Sequence, residues 1–226
     1  SNRVAIDTLD TSGNVSIHSS YTENPRALAI NSLSIQYNLW ISENVIASLS
    51  TVEITEGNFD SNALRVTSGS IFMYGDKCHL YAKNATFDFL SVNGDVHFDE
   101  CNILGCHVKG KVLLSNNNHI GNISCEKIAI NGSRNYIERG DFKKEIIIAG
   151  IDDNHFFDCK FFGDVTLYNG VYLSKCFVNG LLTLKSNKGT ASAIILKELH
   201  VKSDLIVDSI SPIKVASSEV DGNIII

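Results

Sequence analysis

CFVNGLLTL, residues 176–184, has close copies in CHVKGKVLL (106–114) and CKFFGDVTL (159–167), and looser ones in LSVNGDVHF (90–98), LHVKSDLIV (199–207) and SEVDGNIII (218–226). Its first, third, seventh and ninth positions are nearly always apolar, and its fifth is Gly or Ser. Residues two apart lie on one face of a strand. The figure therefore reads as a strand, a sharp corner and a second strand, with the small residue at the bend. Its copies start at 90, 106, 159, 176, 199 and 218. The widest gap holds three further turns of roughly 18 residues each.

Cutting the chain after each corner divides it into segments of 16–24 residues, each opening on an apolar–x–apolar triplet, as in VLLSNNNHIGNISCEK (112–127) and VTLYNGVYLSKCFVNGL (165–181). Insertions fall at corners, where Asn116, Asn131, Gly150, Asn169 and Ser186 supply turn chemistry. The apolar period is two, so helices are not expected. A unit that buries its face only by stacking on its neighbours is one coil of a parallel β-solenoid. The reading is all-β: a right-handed, single-stranded parallel β-helix of about eleven coils, on the order of 50 Å long at roughly 4.8 Å per coil. It treats 1–226 as one domain, with irregular coils over 15–79 and regular ones over 80–226. A left-handed hexapeptide helix needs more constant coils. A β-sandwich also has short strands at this spacing, but no reason to repeat one corner six times.

The residues FDECNILGCHVKGKVLL and FFDCKFFGDVTL resemble pentapeptide-repeat proteins, whose coils carry inward Phe, Leu and Cys. The rhythm of VNGDVHF and VKGKVLL is similar to that of the bactofilin family of polymer-forming β-helices. Both resemblances imply a scaffold or interaction role and transfer no activity residue by residue.

The 226 residues are 44% hydrophobic and 19% charged, ordinary for a folded chain with a core. The net charge of −6 argues against nucleic acid as a partner but not against a protein or a glycan. No apolar run reaches the roughly 18 residues of a membrane span. The opening Ser1–Asn2 has the look of a cloning remnant, and the chain is read as part of a longer protein. After SEVDGN, Ile224, Ile225 and Ile226 open a further coil. An uncapped solenoid end pairs with another chain, so this reading expects either continuation of the chain or end-to-end homo-oligomerisation through these three residues.

Cys106, Cys159 and Cys176 take the first position of the figure, which Leu90 and Leu199 fill elsewhere, and so read as reduced core residues. Unpaired thiols point to a reducing compartment such as the cytoplasm, without excluding secretion. A disulfide between Cys159 and Cys176, one coil apart, is the alternative. The sequons at Asn14, Asn84, Asn122 and Asn131 are about what chance supplies. His107 and His200 fall on the outward face, and no cluster has zinc-ligand spacing, so no metal and no cofactor are expected. The asparagines Asn116, Asn117, Asn118, Asn131, Asn135, Asn169 and Asn187 read as stacked corner amides. The densest acidic group is Asp152, Asp153 and Asp158 with His155 among them. In a solenoid a partner lies one coil away: Tyr168 and Tyr172 on one side, Arg134, Glu138, Arg139 and Asp141 on the other. These residues form the candidate patch, with the carboxylates and His155 as catalytic candidates and Tyr168 and Tyr172 as binding candidates. Glycosidic cleavage needs two carboxylates, or a carboxylate and a base, roughly 5–9 Å apart. The sequence favours a noncatalytic scaffold or binding module; a polysaccharide lyase or glycoside hydrolase and a self-assembling structural protein are the alternatives. The glycines Gly110, Gly163 and Gly180 are expected at bends with backbone angles hard for other residues.

Overall fold

A computed structural model describes residues 3–18, 26–43, 45–63, 65–144, 146–149, 152–186 and 192–226. Gly150 and Asn187 therefore lie outside the described residues. The fold is all-β, with no helix among the described residues, and it winds as a parallel β-solenoid of about 10 turns. The described strands pair in parallel, whereas a sandwich is built from antiparallel strands. The chain divides into two compact units, Ser1–Gly110 and Lys111–Ile226.

In the first unit a long strand alternates with a short one. Arg26–Ile35, Val45–Ile54, Arg65–Met73 and Ala85–Val92 stack in register. Leu39–Ile41, Phe59–Ser61 and His79–Lys83 stack beside them. The alternation slips inside each long strand: Leu49 and Val52 are both buried although three residues apart. A slip of one residue turns the strand at that point. Gly69 sits at this bend, where a Cβ would stand 2.7 Å from the carbonyl oxygen of Ser50.

Each coil of the second unit has three sides. The first sides are Tyr136–Glu138, Asn154–Phe157, Val171–Ser174, Ile194–Lys197 and Ile213–Ala216. The second include Gly140–Phe142, Lys160–Phe161 and Phe177–Val178, and the third Ile146–Ile148, Val165–Leu167 and Leu182–Lys185. The single strand His119–Ile130 supplies all three sides of its coil, pairing in turn with the three strands that follow. The interior is a column of Ile, Leu and Val filled out by Phe142, Phe156 and Phe161, whose rings pack 5.1–6.2 Å apart.

The corners correct the expectation about glycine. Gly170, at φ +74°, is the one described glycine with positive φ, so Gly110, Gly163 and Gly180 do not hold left-handed backbone. That conformation falls instead to non-glycine residues. Arg139, Asp158, Lys175, Glu198 and Ser217 stack at the corner between first and second sides with φ of 50–54°. The amides of Arg139 and Asp158 donate to the carbonyls of Phe157 and Ser174 on the next coil, at 2.9 and 3.0 Å. These bonds offset a conformation that costs an ordinary residue about 1–2 kcal/mol. Gly180 is small for another reason: a Cβ there would lie 2.6 Å from the carbonyl oxygen of Gly163. Gly110 meets the carbonyl of Gly94 in the same way.

All six cysteines are free and buried. Burial pushes the thiols of Cys101 and Cys125 up to about 12. The Cys159 thiol is pushed up by its hydrogen bond with Cys176 and by burial.

A column of buried amides joins the coils of the second unit. Asn118 Nδ2 donates to Asn135 Oδ1 at 2.8 Å, and Asn135 Nδ2 to Asn154 Oδ1 at 2.9 Å. Asn154 Nδ2 closes the series on the Gly132 carbonyl at 3.1 Å. Amides in series leave few polar atoms unpaired in the core. Asn154 was not among the asparagines expected to stack. The first unit holds a second, exposed column, in which Asn38 donates to Asn14, the Asn58 amide to Asn38 and the His79 amide to Asn58.

Three measurements follow from this packing. Asn135→Ala leaves Asn118 and Asn154 short of partners and is expected to destabilise by about 2–3 kcal/mol in denaturant titration; a neutral result would remove the amide column as a structural element. Gly180→Val forces two coils apart and is expected to cost more than about 1 kcal/mol, detected as a lower unfolding midpoint. A thiol reagent is expected to label none of the cysteines in the native protein and all six after denaturation without reductant; fewer than six would reveal a disulfide.

Candidate functional site

Three triplets recur at one corner of the second unit: Asn117–Asn118–His119, Arg134–Asn135–Tyr136 and Asp153–Asn154–His155. The first residue of each has φ of 55–58°. The second is the inward amide of the buried column, 17 and then 19 residues apart. The third lies in the first or second position of a strand and points outward, since neighbouring residues of a strand face opposite ways. Gly170–Val171–Tyr172 continues the pattern with a glycine in the left-handed position and Val171 in place of the amide.

This corner sets the outward rings one above another. His119 pairs with Tyr136, Tyr136 with His155 and His155 with Tyr172 in the strand register. The ring centroids are 5.1, 6.2 and 5.3 Å apart, with interplanar angles of 71°, 37° and 34°. Asp153 Oδ1 accepts a hydrogen bond from His155 Nε2 at 2.6 Å. Tyr136 Oη donates to Glu138 Oε1 at 3.2 Å. Desolvation and then that bond raise the Tyr136 phenol above its ordinary range.

Two open depressions flank the rings. One of about 270 Å³ is lined by Asp152, Asp153, His155, Tyr172 and Ile195 among others, and one of about 320 Å³ by Arg134, Asn135, Tyr136, Asp153 and His155. They share Asp153 and His155, so the ladder is the ridge of a wider surface. Its carboxylates and Arg134 offer hydrogen bonds beside aromatic faces, the chemistry by which sites hold polar, partly apolar ligands.

The structure thus brings Asp152, Asp153, His155 and Tyr172 together. Asp158 stands at the far end of its strand, at the next corner, where its amide bonds to Ser174. Tyr168 follows the third side, its amide bonding to Ile148, and lines neither depression. Of the residues one coil back, Arg134 and Glu138 belong to the ladder, while Asp141 lies on the second side opposite Lys160. Ile224 and Ile225 pair with Leu205 and Ile206 and are otherwise exposed. Tyr136 and His119 were absent from the candidate patch, although the x–Asn–ring triplets at 117, 134 and 153 carried the signal.

Among the described residues no group of three or more His, Cys, Asp or Glu could hold a metal ion. No helix long and apolar enough to cross a membrane occurs among the described residues. No protein family, no curated protein and no solved structure matches the chain. No family model supports the resemblance to pentapeptide-repeat or bactofilin-type helices; what the structure shows is a parallel β-solenoid of about 10 turns.

If Asp153 holds the His155 ring in place, Asp153→Asn is expected to let it rotate. Ring-proton contacts between His155 and Tyr172 then weaken in NMR spectra of the variant. Unchanged contacts would show that stacking alone fixes the ring.

Proposed function

We propose that the chain is a noncatalytic β-solenoid binding module whose ligand, a protein or a glycan, lies along the His119–Tyr136–His155–Tyr172 ladder. The observation that carries this reading is the ladder itself: four outward rings in register on successive coils, with Asp153 bonded to one of them. Stacked backbones make such a surface rigid, so little side-chain freedom is lost on binding. Tyr and His faces receive the apolar faces of sugars or side chains, while Asp152, Asp153 and Arg134 take their polar edges.

A hydrolytic or lyase reading draws on one observation, the Asp153–His155 pair, in which a carboxylate orients a base. Glycan chains incubated with the protein would then shorten with time. Chains of unchanged length, retained by the protein, accord with binding alone.

The direct test compares the wild type with a Tyr136→Ala/Tyr172→Ala variant on immobilised neutral and acidic glycans and on peptide arrays. Removing two ring platforms is expected to weaken binding by about tenfold or more, with the circular dichroism of the folded protein retained. Binding that survives unchanged in the variant would place the ligand elsewhere.

A further inference from the structure

The first unit carries an outward column unrelated to the ladder. Ser16, Trp40, Asp60, Tyr81 and His97 follow one another in register on its short strands. Trp40, the single tryptophan of the chain, is 40% exposed although it is the largest side chain available for burial. Its neighbours in the column, Ser16 and Asp60, are shorter side chains. An open depression of about 520 Å³ surrounds it, lined chiefly by His18, Trp40, Ser42, Glu43, Asp60 and Asn62. Oδ1 of Asp60 is shielded from solvent with no hydrogen-bond partner among the described residues, an arrangement rare enough to require a reason. The terminal torsion of Asp is broad, so a small rotation turns this acceptor into the depression.

We infer that this depression is a binding site for a neutral sugar unit, with Trp40 as the platform under the pyranose and Asp60, Glu43 and Asn62 taking its hydroxyls. The chemistry of the lining selects this class. Glu43 and Asp60 accept hydrogen bonds, Asn62 and Ser42 both donate and accept, and a hydroxyl does both. A primary ammonium only donates and a quaternary one neither donates nor accepts, so both leave the Asn62 donor without an acceptor on the ligand. Among the described residues no lysine or arginine lines the depression, so an acidic sugar would bring its carboxylate against those of Glu43 and Asp60. The apolar face of the indole matches the C–H face of a ring, which a small inorganic ion does not present.

Because Trp40 is the single tryptophan, its emission reports on this site and not on the ladder. The full chain is titrated with hexasaccharides of β-1,4-linked glucose, mannose, xylose and N-acetylglucosamine, with oligogalacturonate, and with tetramethylammonium. At least one neutral hexasaccharide is expected to give a saturable change in emission within the millimolar range, and oligogalacturonate and tetramethylammonium none. Asp60→Ala is expected to raise the Kd by about tenfold or more, and Lys202→Ala, at an exposed position of the second unit, to leave it unchanged. If Asp60→Ala does not fold, as judged by circular dichroism, Glu43→Gln takes its place with the same direction of effect. A saturable response to tetramethylammonium or oligogalacturonate alone, no saturable response to any neutral hexasaccharide, or affinity unmoved by the carboxylate variant would each overturn the proposal. The result is independent of the ladder: loss of the tryptophan signal leaves the ladder reading intact, and the reverse holds.

Discussion

Within each unit, backbone hydrogen bonds between successive coils hold equivalent residues one above another, and the rest of the structure depends on that register. In the second unit the buried column Asn118, Asn135 and Asn154 reinforces it from inside. A slip of one residue would turn every inward side chain outward and would also strand these amides in an apolar core. Register is therefore specified twice, by the apolar alternation and by polar atoms that find partners in one alignment only.

The same constraint generates the surface. A residue at a given place in one coil stands beside its counterpart in the next, so any outward residue type that recurs becomes a stripe. The left-handed residue before each buried amide aims the strand, and the residue after it faces outward. His119, Tyr136, His155 and Tyr172 are aligned for this reason and not because any of them packs into a core. The Trp40 column of the first unit arises in the same manner on its short strands. The outward surface of each unit is thus a periodic array set by backbone spacing.

Much of this was legible in the sequence. The nine-residue figure gave away strand, corner and stacking, because apolar residues two apart on both sides of a small residue leave few other readings. The inward positions of Cys106, Cys159 and Cys176 followed from substitution by leucine at the same place. The corner chemistry was less legible. Glycine was expected to supply positive φ, yet Arg139, Asp158 and Lys175 supply it, since the cost is met by hydrogen bonds to the next coil that a linear reading does not contain. Asp158 looked like a neighbour of Asp153, but the strand Asn154–Phe157 carries it to another corner. Tyr136 is hard to place from sequence because its partners lie 17 and 19 residues away, a spacing that emerges only from the alignment of the coils. The Trp40 depression lies around the short strand Leu39–Ile41, N-terminal to every copy of the nine-residue figure.

Ring-to-ring magnetisation transfer tests the account most directly, because it reads the register and the ladder together. Nuclear Overhauser contacts are expected between the rings of His119 and Tyr136, of Tyr136 and His155, and of His155 and Tyr172, with centroids 5.1, 6.2 and 5.3 Å apart. None is expected between His119 and Tyr172, which the two intervening rings separate. Contacts in that order would establish in-register parallel coils and the surface they carry. Their absence in the folded protein, or contacts in another order, would contradict both.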